Sequence, residues 1–556
     1  MASNIQCNII SYNSVWLKNP CINSRFPKLS CAVILSGSTP KIEKRSSEGI
    51  EELKEKTRKE LKRICYLDKV KGMKFVDDLQ WLGVGHHFED EINLWLEKLS
   101  EWDSCAEDRD DLHATALRFR LLRQHMKPIS CDIFEKFMDQ NIRESLIKDK
   151  EGLLNFYEAS YLGSSDDDIL LEAMRFAETQ LKLSVETMRS DCDLSRRISR
   201  ALELPRHRRM VRLESRLRIE EYSRQRIHSS SRLQLAKLEY NNVQLLHKME
   251  LFLLTRWWKE LGVADKLDFA RNSAAECFLW TVGLFPHPKY SDVRVEMAKV
   301  IAILLVIDDV FDKYGTINDL SLFTLAIQRW DVDAIDTLPE YMKVCYMALY
   351  NTTKEISHKV LKEHGTDIHH FLARSWIDTV EAYMIEFKWF SRGEKPISVR
   401  DYVENGAATA GAYMALVHAF FLMGEGLTNH NIKLMSKPYP ALLSVSGRIL
   451  RLWDDLGTSK EEQDRGDNAS IIEVLMKEKN LSTENEARRH IEQLIMNSWK
   501  DLNGNLLDPN PWPLSIINVC FNMCRTAQVF YQHQEYSYAS NVKKIADYIF
   551  REPIEL

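Results

Sequence analysis

Glycine and proline are scarce in this chain, 20 and 15 among 556 residues. Both interrupt helices, glycine through backbone entropy and proline through its missing N–H. Their rarity leaves long stretches free to run as helix. Alternating apolar and polar strand patterns are also rare, so the expected fold class is all-α. Eleven cysteines occur without one CxxC pair. Cys520 and Cys524 share a helical face but have no neighbouring histidine or second pair to complete a zinc site. Reduced, buried thiols and a non-secreted compartment follow. An excess of positive charge is missing too: the formal net charge of −6 argues against general nucleic-acid binding. The one basic stretch, Arg206 to Arg218, carries Met210, Val211, Leu213 and Leu217 among its charges and reads as a solvated or domain-bridging helix. No apolar run reaches membrane-spanning length, and no solenoid-type period recurs.

Acidic residues are absent from the first 42 positions, Glu43 being the first. That segment is rich in serine and asparagine and holds Lys18, Arg25, Lys28 and Lys41, the makeup of an organelle transit peptide. Ala32 to Leu35 is too short an apolar core for a secretory signal. The length exceeds one comfortable core, and 45% apolar content supports sizeable ones. The expected organisation is a leader over 1–45, an N-terminal helical domain over 46–230 and a C-terminal domain over 231–556. The boundary falls at the polar break His228-Ser229-Ser230-Ser231, ahead of a helical run from Leu233 to Leu261. Earlier helices are expected over Glu48–Cys65, Val76–Lys98 and Leu112–His125.

What the chain does have is two acidic clusters about 145 residues apart. Asp308-Asp309-Val310-Phe311-Asp312 follows the apolar run Val300 to Ile307, and the second cluster runs from Asp454-Asp455 through Thr458 to Glu461-Glu462. On a helix Asp308 and Asp312 fall one turn apart on one face, while Asp454, Thr458 and Glu462 recur every fourth residue. An aspartate pair alone reads as a solvated face. The first cluster, however, ends a buried run, where unpaired charge is costly. All five are hard oxygen ligands, which Mg²⁺ accepts while taking the rest of its shell from water and phosphate. Two such stripes face to face would hold a metal cluster against a diphosphate. That arrangement suits an enzyme that removes diphosphate from a hydrocarbon.

Other motifs read as structure. Asp108-Arg109-Asp110-Asp111 spells the D-x-D-D general-acid motif but lies in a polar connector just before a helix. Ser164-Ser165-Asp166-Asp167-Asp168 looks like a helix start, where the dipole favours acids. His86-His87 could suggest a metal site, yet adjacent histidines on a helix are expected to point apart.

The chain resembles the plant class I terpene synthases over nearly everything after the leader. The resemblance rests on VDDLQWLGVGHHFEDEI (Val76 to Ile92), ALRFRLLRQH (Ala116 to His125), FYEASYLG (Phe156 to Gly163), RWWKELG (Arg256 to Gly262), VIDDVFDKYGT (Val306 to Thr316) and LRLWDDLGTSKEE (Leu450 to Glu462). Within that family, LPRHRRMVRLESR (Leu204 to Arg216), AECFLWTVGLFPHPKYS (Ala275 to Ser291), CYMALYNTTKEI (Cys345 to Ile356) and SGRILRLWDDLGTSKEEQDRGD (Ser446 to Asp467) most resemble geraniol synthases. The resemblance implies an N-terminal helical barrel-like domain and a C-terminal class I terpenoid synthase helix bundle that binds metal and catalyses. It also implies three Mg²⁺ ions, with Mn²⁺ as a substitute. Asp308 and Asp312 would ligate metal with Asp309 in support, and Asp454, Thr458 and Glu462 would hold the remaining ion. Arg271 and Arg451 would bind diphosphate, guanidinium being a bidentate and permanently charged partner for phosphate. Trp280 would face the carbocation. Thr409-Ala410-Gly411 would break a helix beside the pocket, and Tyr531 and Tyr538 would line its wall.

The chain departs from the family pattern in three places. Ser273 replaces the second arginine of the Arg-x-Arg element that begins at Arg271. The tandem-arginine element is missing, because Lys44-Arg45 is followed by no tryptophan before Trp81. Asn468-Ala469-Ser470 stands where a lysine often follows the second metal motif. Loss of the tandem arginines favours an acyclic product. The expected reaction is therefore geranyl diphosphate plus water to geraniol plus diphosphate, in the plastid stroma, by a monomer or alternatively a homodimer. Linalool or another monoterpene is the alternative product. The rivals of other classes are a prenyl chain-elongating transferase, whose second motif would repeat D-D-x-x-D, and a catalytically decayed helical binding protein.

Overall fold

The computed structural model describes residues 41–101, 111–189, 192–225, 229–267, 273–392, 396, 398–465, 470–507, 510–532 and 538–556, with residues 41–48, 390–392, 459–465 and 538–541 described by backbone alone. Every described regular element is helical. The first helix, Lys41–Leu67, begins five residues inside the stretch expected to be leader. Asp68 caps the next, Lys69–Trp81, by accepting from the Lys71 N–H. The run expected over Val76–Lys98 is interrupted after Trp81. Gly83 takes a left-handed φ of +76°, and a Cβ there would lie 2.7 Å from the Ser215 hydroxyl. A short 3₁₀ turn, Gly85–Phe88, and the helix Glu89–Ser100 follow. Asp111, last of the D-x-D-D residues, caps Leu112–Gln124 by accepting from the Ala114 N–H; the other three lie outside the described residues. In the Ser164–Asp168 motif, Asp167 accepts from the Ser164 N–H and hydroxyl just before the Asp168–Thr187 helix.

Of the two roles expected for the basic stretch, solvated or bridging, the contacts favour bridging: it forms a 3₁₀ turn, Arg206–Arg208, and a helix, Val211–Arg224, and it is not solvated. Arg212 and Arg218 are each 5% exposed. Its partners come from both sides of the chain: Arg206 donates to Asp77 at 2.7 Å and Arg218 to Asp78 at 3.2 Å, while His207 bonds Asn503 at 2.8 Å and Arg216 donates to the Glu552 carbonyl at 2.6 Å. Long cationic side chains here bridge rather than solubilise. His86 and His87 also do not diverge. They lie in the 3₁₀ turn with ring centroids 4.0 Å apart, and each reaches one oxygen of Glu239, at 3.1 and 3.2 Å. One carboxylate between two tilted rings brings together what α-helical winding would separate.

The C-terminal half is a bundle entered through the helix Ser230–Leu261, capped by Ser229 and closed by Gly262 at φ +65°. The Ser291–Asp309 helix packs against Ala274–Leu284, Ser230–Leu261 and Ala412–Met423. Opposite it, Ala441–Arg465 packs on Leu514–Tyr531 and Val399–Thr409. Cys520 and Cys524 are buried between helices, and burial pushes the Cys520 thiol up to about 12. Among the described residues no single helix is long and apolar enough to cross a membrane. Val399–Thr409 and Ala412–Met423 pass that test only as a pair bent by 46°, and most of their apolar residues lie in the core.

The bend is built at Ala410-Gly411, as expected for Thr409-Ala410-Gly411. Gly411 has φ +71°, and a Cβ there would stand 2.2 Å from a Leu304 methyl carbon. Gly411→Ala should therefore destabilise by about 1–3 kcal/mol, through strain and displaced packing. Scanning calorimetry checks this, an unchanged melting midpoint being the contrary result.

Candidate active site

Val300 to Ile307 drive the Ser291–Asp309 helix into the core, and Asp308 emerges half-buried at its end. The winding then changes. Val310–Tyr314 is a π-turn closed by the Gly315 N–H donating to the Val310 carbonyl at 2.8 Å. The sequence predicts α-spacing here; the wider turn is a device found often at functional sites. It leaves Asp312 exposed, whereas Asp309 is 1% exposed and paired with Lys313 at 2.9 Å.

Two tyrosines report where these acids stand. Tyr383, from the His369–Arg392 helix, stacks on Phe311 at 5.2 Å and hydrogen-bonds Asp308. Burial, then the charges of Asp308, Asp312 and Glu386, hold its hydroxyl well above the ordinary phenol range. Tyr531, the last residue of Leu514–Tyr531, hydrogen-bonds Asp454. Its hydroxyl is raised by burial, by Asp454, and also by the charges of Glu276 and Asp308. Asp308 and Asp454, from the two clusters, thus act on one phenol. Gly457 permits this approach, since a Cβ there would lie 2.9 Å from Tyr531 Cβ.

Asp454 and Thr458 are half-buried on the Ala441–Arg465 helix, with the Thr458 hydroxyl donating to the Asp454 carbonyl at 2.9 Å. Glu462 continues that helix, its side chain outside the described residues. Arg451, one turn before Asp455, is 8% exposed. Its Nη1 donates to the Thr409 hydroxyl at 3.1 Å and its Nη2 to the Tyr402 hydroxyl at 2.7 Å. Glu386 lies 3.0 Å from Nη2 and Asp455 2.9 Å from Nε. Burial alone would weaken this base, but Asp455 and Glu386 raise it well above the ordinary guanidinium range. Gly406 makes room, since a Cβ there would be 2.7 Å from Nε. The half-buried Trp280 ring lies 4.7 Å from Phe530 and 6.1 Å from Tyr531. Arg271 lies outside the described residues, as does the Tyr538 side chain, and Ser273 immediately precedes Ala274–Leu284.

The structure therefore gathers Asp308, Asp312, Asp454, Trp280 and Tyr531 around one region, with Arg451 and Thr409 joined beside it. Sequence reasoning missed Tyr383, Glu386, Tyr402 and Asp455. Asp455 alone carried a signal, as the inner member of an aspartate pair. A separate polar cavity of about 190 Å³ lies among the N-terminal helices, lined by Asp77, Arg120, Glu158 and Arg206. Its acids and bases pair with one another, as in Asp77 with Arg120 at 2.8 Å, so it lacks an unneutralised acidic face.

Comparison with known proteins agrees with this geometry. Residues 30–202 match the model described as "Terpene synthase, N-terminal domain", and residues 259–501 match "Terpene synthase family, metal binding domain". A chloroplastic monoterpene synthase of Cananga odorata is 52% identical, the match covering 90% of this chain and 84% of that protein. A chloroplastic geraniol synthase of Ocimum basilicum is 50% identical, and a chloroplastic R-linalool synthase of the same plant is 48% identical. Each of those two matches covers 92% of this chain and 88% of the relative. Isoprene synthase from grey poplar (Populus x canescens), solved with three Mg²⁺ ions and dimethylallyl-S-thiolodiphosphate, superposes with a TM-score of 0.84 at 33% identity, over 91% of this chain and 97% of that one. The chain belongs to the plant class I terpene synthase family, and the fold is the two-part helical architecture of those enzymes.

Proposed function

We propose that this protein is a plastid monoterpene synthase that ionises geranyl diphosphate and quenches the cation with water to give geraniol and diphosphate. The observation that carries the chemistry is Asp308 and Asp454 converging on Tyr531. Four carboxylates and a hydroxyl fit Mg²⁺ by donor type, all being hard oxygen ligands. Asp308, Asp312, Asp454, Thr458 and Glu462 would hold it, with Mn²⁺ as a substitute. Bound there, the metal would neutralise charge growing on the departing diphosphate.

The chain's own residues supply the rest. Arg271 and Arg451 hold the diphosphate, and Arg451 is aimed beforehand by Thr409 and Tyr402. Asp309 stays turned onto Lys313 and steadies the π-turn. Trp280 and Tyr531 offer ring faces to the allylic cation, with Tyr538 and Thr409 completing the wall. Water adds at the primary carbon, and its proton leaves with the diphosphate. The ten-carbon substrate and the plastid are supported by the acid-free leader and by relatives named chloroplastic. Linalool, formed by attack at the tertiary carbon, is the second reading, supported by the 48% identity to R-linalool synthase.

Protein lacking the first 40 residues should convert the ten-carbon diphosphate, and not the fifteen- or twenty-carbon ones, to geraniol in the presence of Mg²⁺. Chelation should abolish turnover. Gas chromatography that finds only cyclic monoterpenes overturns the product. A longer diphosphate formed on adding isopentenyl diphosphate would instead indicate chain elongation.

A further inference from the structure

Three side chains able to ligate a metal, two imidazoles and a carboxylate, meet far along the chain from the acidic site. Nε2 of His86 lies 3.1 Å from one oxygen of Glu239, and Nε2 of His87 lies 3.2 Å from the other. One ligand atom from each of the three falls within 4.8 Å of the other two. Glu239 is 7% exposed, and a carboxylate so buried calls for positive charge close by. Arg212 contributes some, but its Nη2 donates to the Tyr240 carbonyl at 2.8 Å and its guanidinium lies over the Tyr240 ring at 4.1 Å. Imidazoles supply positive charge only when protonated, and two charged rings with centroids 4.0 Å apart repel. A divalent ion answers the need while both rings stay neutral.

The spacing fits one. A tetrahedral ion holding nitrogen and oxygen at about 2.0–2.1 Å sets its ligands roughly 3.3 Å apart, near the 3.1 and 3.2 Å found here, where each imidazole faces a different oxygen of the one carboxylate. The loop is also held in place: the His87 carbonyl accepts from Arg58 Nη2 at 3.0 Å, and Arg58 lies over the Phe88 ring at 5.4 Å. His287 packs on His86 with centroids 4.7 Å apart, but its Nδ1 accepts from the Lys289 N–H at 2.9 Å. That bond leaves the proton on Nε2, so His287 shields the group rather than ligating.

We propose that His86, His87 and Glu239 bind one divalent ion of the zinc class, with water in the fourth position. Two imidazoles and one carboxylate suit zinc, whereas Mg²⁺ prefers oxygen alone. The ion would tie the turn after the second helix to the Ser230–Leu261 helix, two segments separated by 153 residues between His86 and Glu239. It is a fastening separate from the catalytic acids.

The test uses the full chain, stripped with chelator and dialysed against Zn²⁺ in a large excess of Mg²⁺. About one zinc per chain should remain, its X-ray absorption spectrum should carry imidazole scattering, and the melting midpoint should rise by a few degrees. His87→Ala, with His86→Gln as the milder second variant, should weaken zinc retention at least tenfold. Asp308→Asn should leave it unchanged. An all-oxygen spectrum, retention undiminished in both histidine variants, or no zinc retained by the parent would each overturn the proposal. None of those outcomes bears on the acidic site.

Discussion

Asp308→Asn should lower geraniol formation by about 10²-fold or more, on the scale of losing one preorganised charge-stabilising group, while the metal-free protein keeps or gains thermal stability. Asparagine preserves an acceptor for the Tyr383 hydroxyl, so the local hydrogen bond survives. What disappears is a negative charge facing Asp312 and Glu386 across Tyr383, and facing Asp454 across Tyr531. Without a cation those charges oppose one another, and function is purchased with that opposition. The paired measurement is product by gas chromatography and melting midpoint with and without Mg²⁺. In the parent, Mg²⁺ should raise the midpoint; in the variant the increment should shrink. A variant that turns over like the parent, or keeps the full increment, removes Asp308 from the metal site.

Arg294→Met should be the most damaging change to the fold itself, costing about 3–5 kcal/mol. Arg294 is wholly buried, with Nη2 2.6 Å and Nε 2.9 Å from the two oxygens of Glu250. Its Nη1 also donates to the carbonyls of Phe285 at 2.8 Å and His287 at 2.7 Å. Methionine fills much of the volume but removes the guanidinium from a carboxylate that is 2% exposed, which keeps His247 at 3.1 Å. In the parent, despite burial, His247 and Arg294 hold the Glu250 carboxyl below its ordinary value. Removing the guanidinium should reverse that shift. A carboxyl raised in the folded state is favoured when protonated, so the variant should regain stability as pH falls toward the carboxylate range and lose it as pH rises. Arg294→Met combined with Glu250→Leu should recover a large part of the loss. Urea unfolding of the two variants at several pH values decides the matter, and a double variant no better than the single one would show that the ion pair is not the cause.

The acidic stripes were legible because hard oxygen ligands at helical spacing, directly after an apolar run, have few uses. The polar stretches ending at Asp111 and around Ser229 were legible as helix approaches, though not the caps those two residues make. Other features depend on contacts that leave no mark in local sequence. Tyr383 and Tyr531 come from helices distant in the chain, and nothing in their own segments shows that they grip Asp308 and Asp454. The convergence of His86 and His87 was misread because α-helical winding was assumed where a 3₁₀ turn and a shared carboxylate prevail. The Arg206–Arg218 stretch reads as solvated or bridging by composition, and only its distant contacts, such as Arg206 with Asp77 and Arg216 with the Glu552 carbonyl, decide for bridging.

The loosened winding from Val310 to Tyr314 has one more implication. A ruler laid along the primary structure places Asp312 directly above Asp308, yet a coil with an extra residue per revolution rotates what it carries. Excising one residue from that stretch would tighten the spiral and swing the second aspartate sideways, with every original donor still present in the chain. Mere possession of the acidic letters is thus a poorer guide to competence in this chain than the pitch on which they are wound.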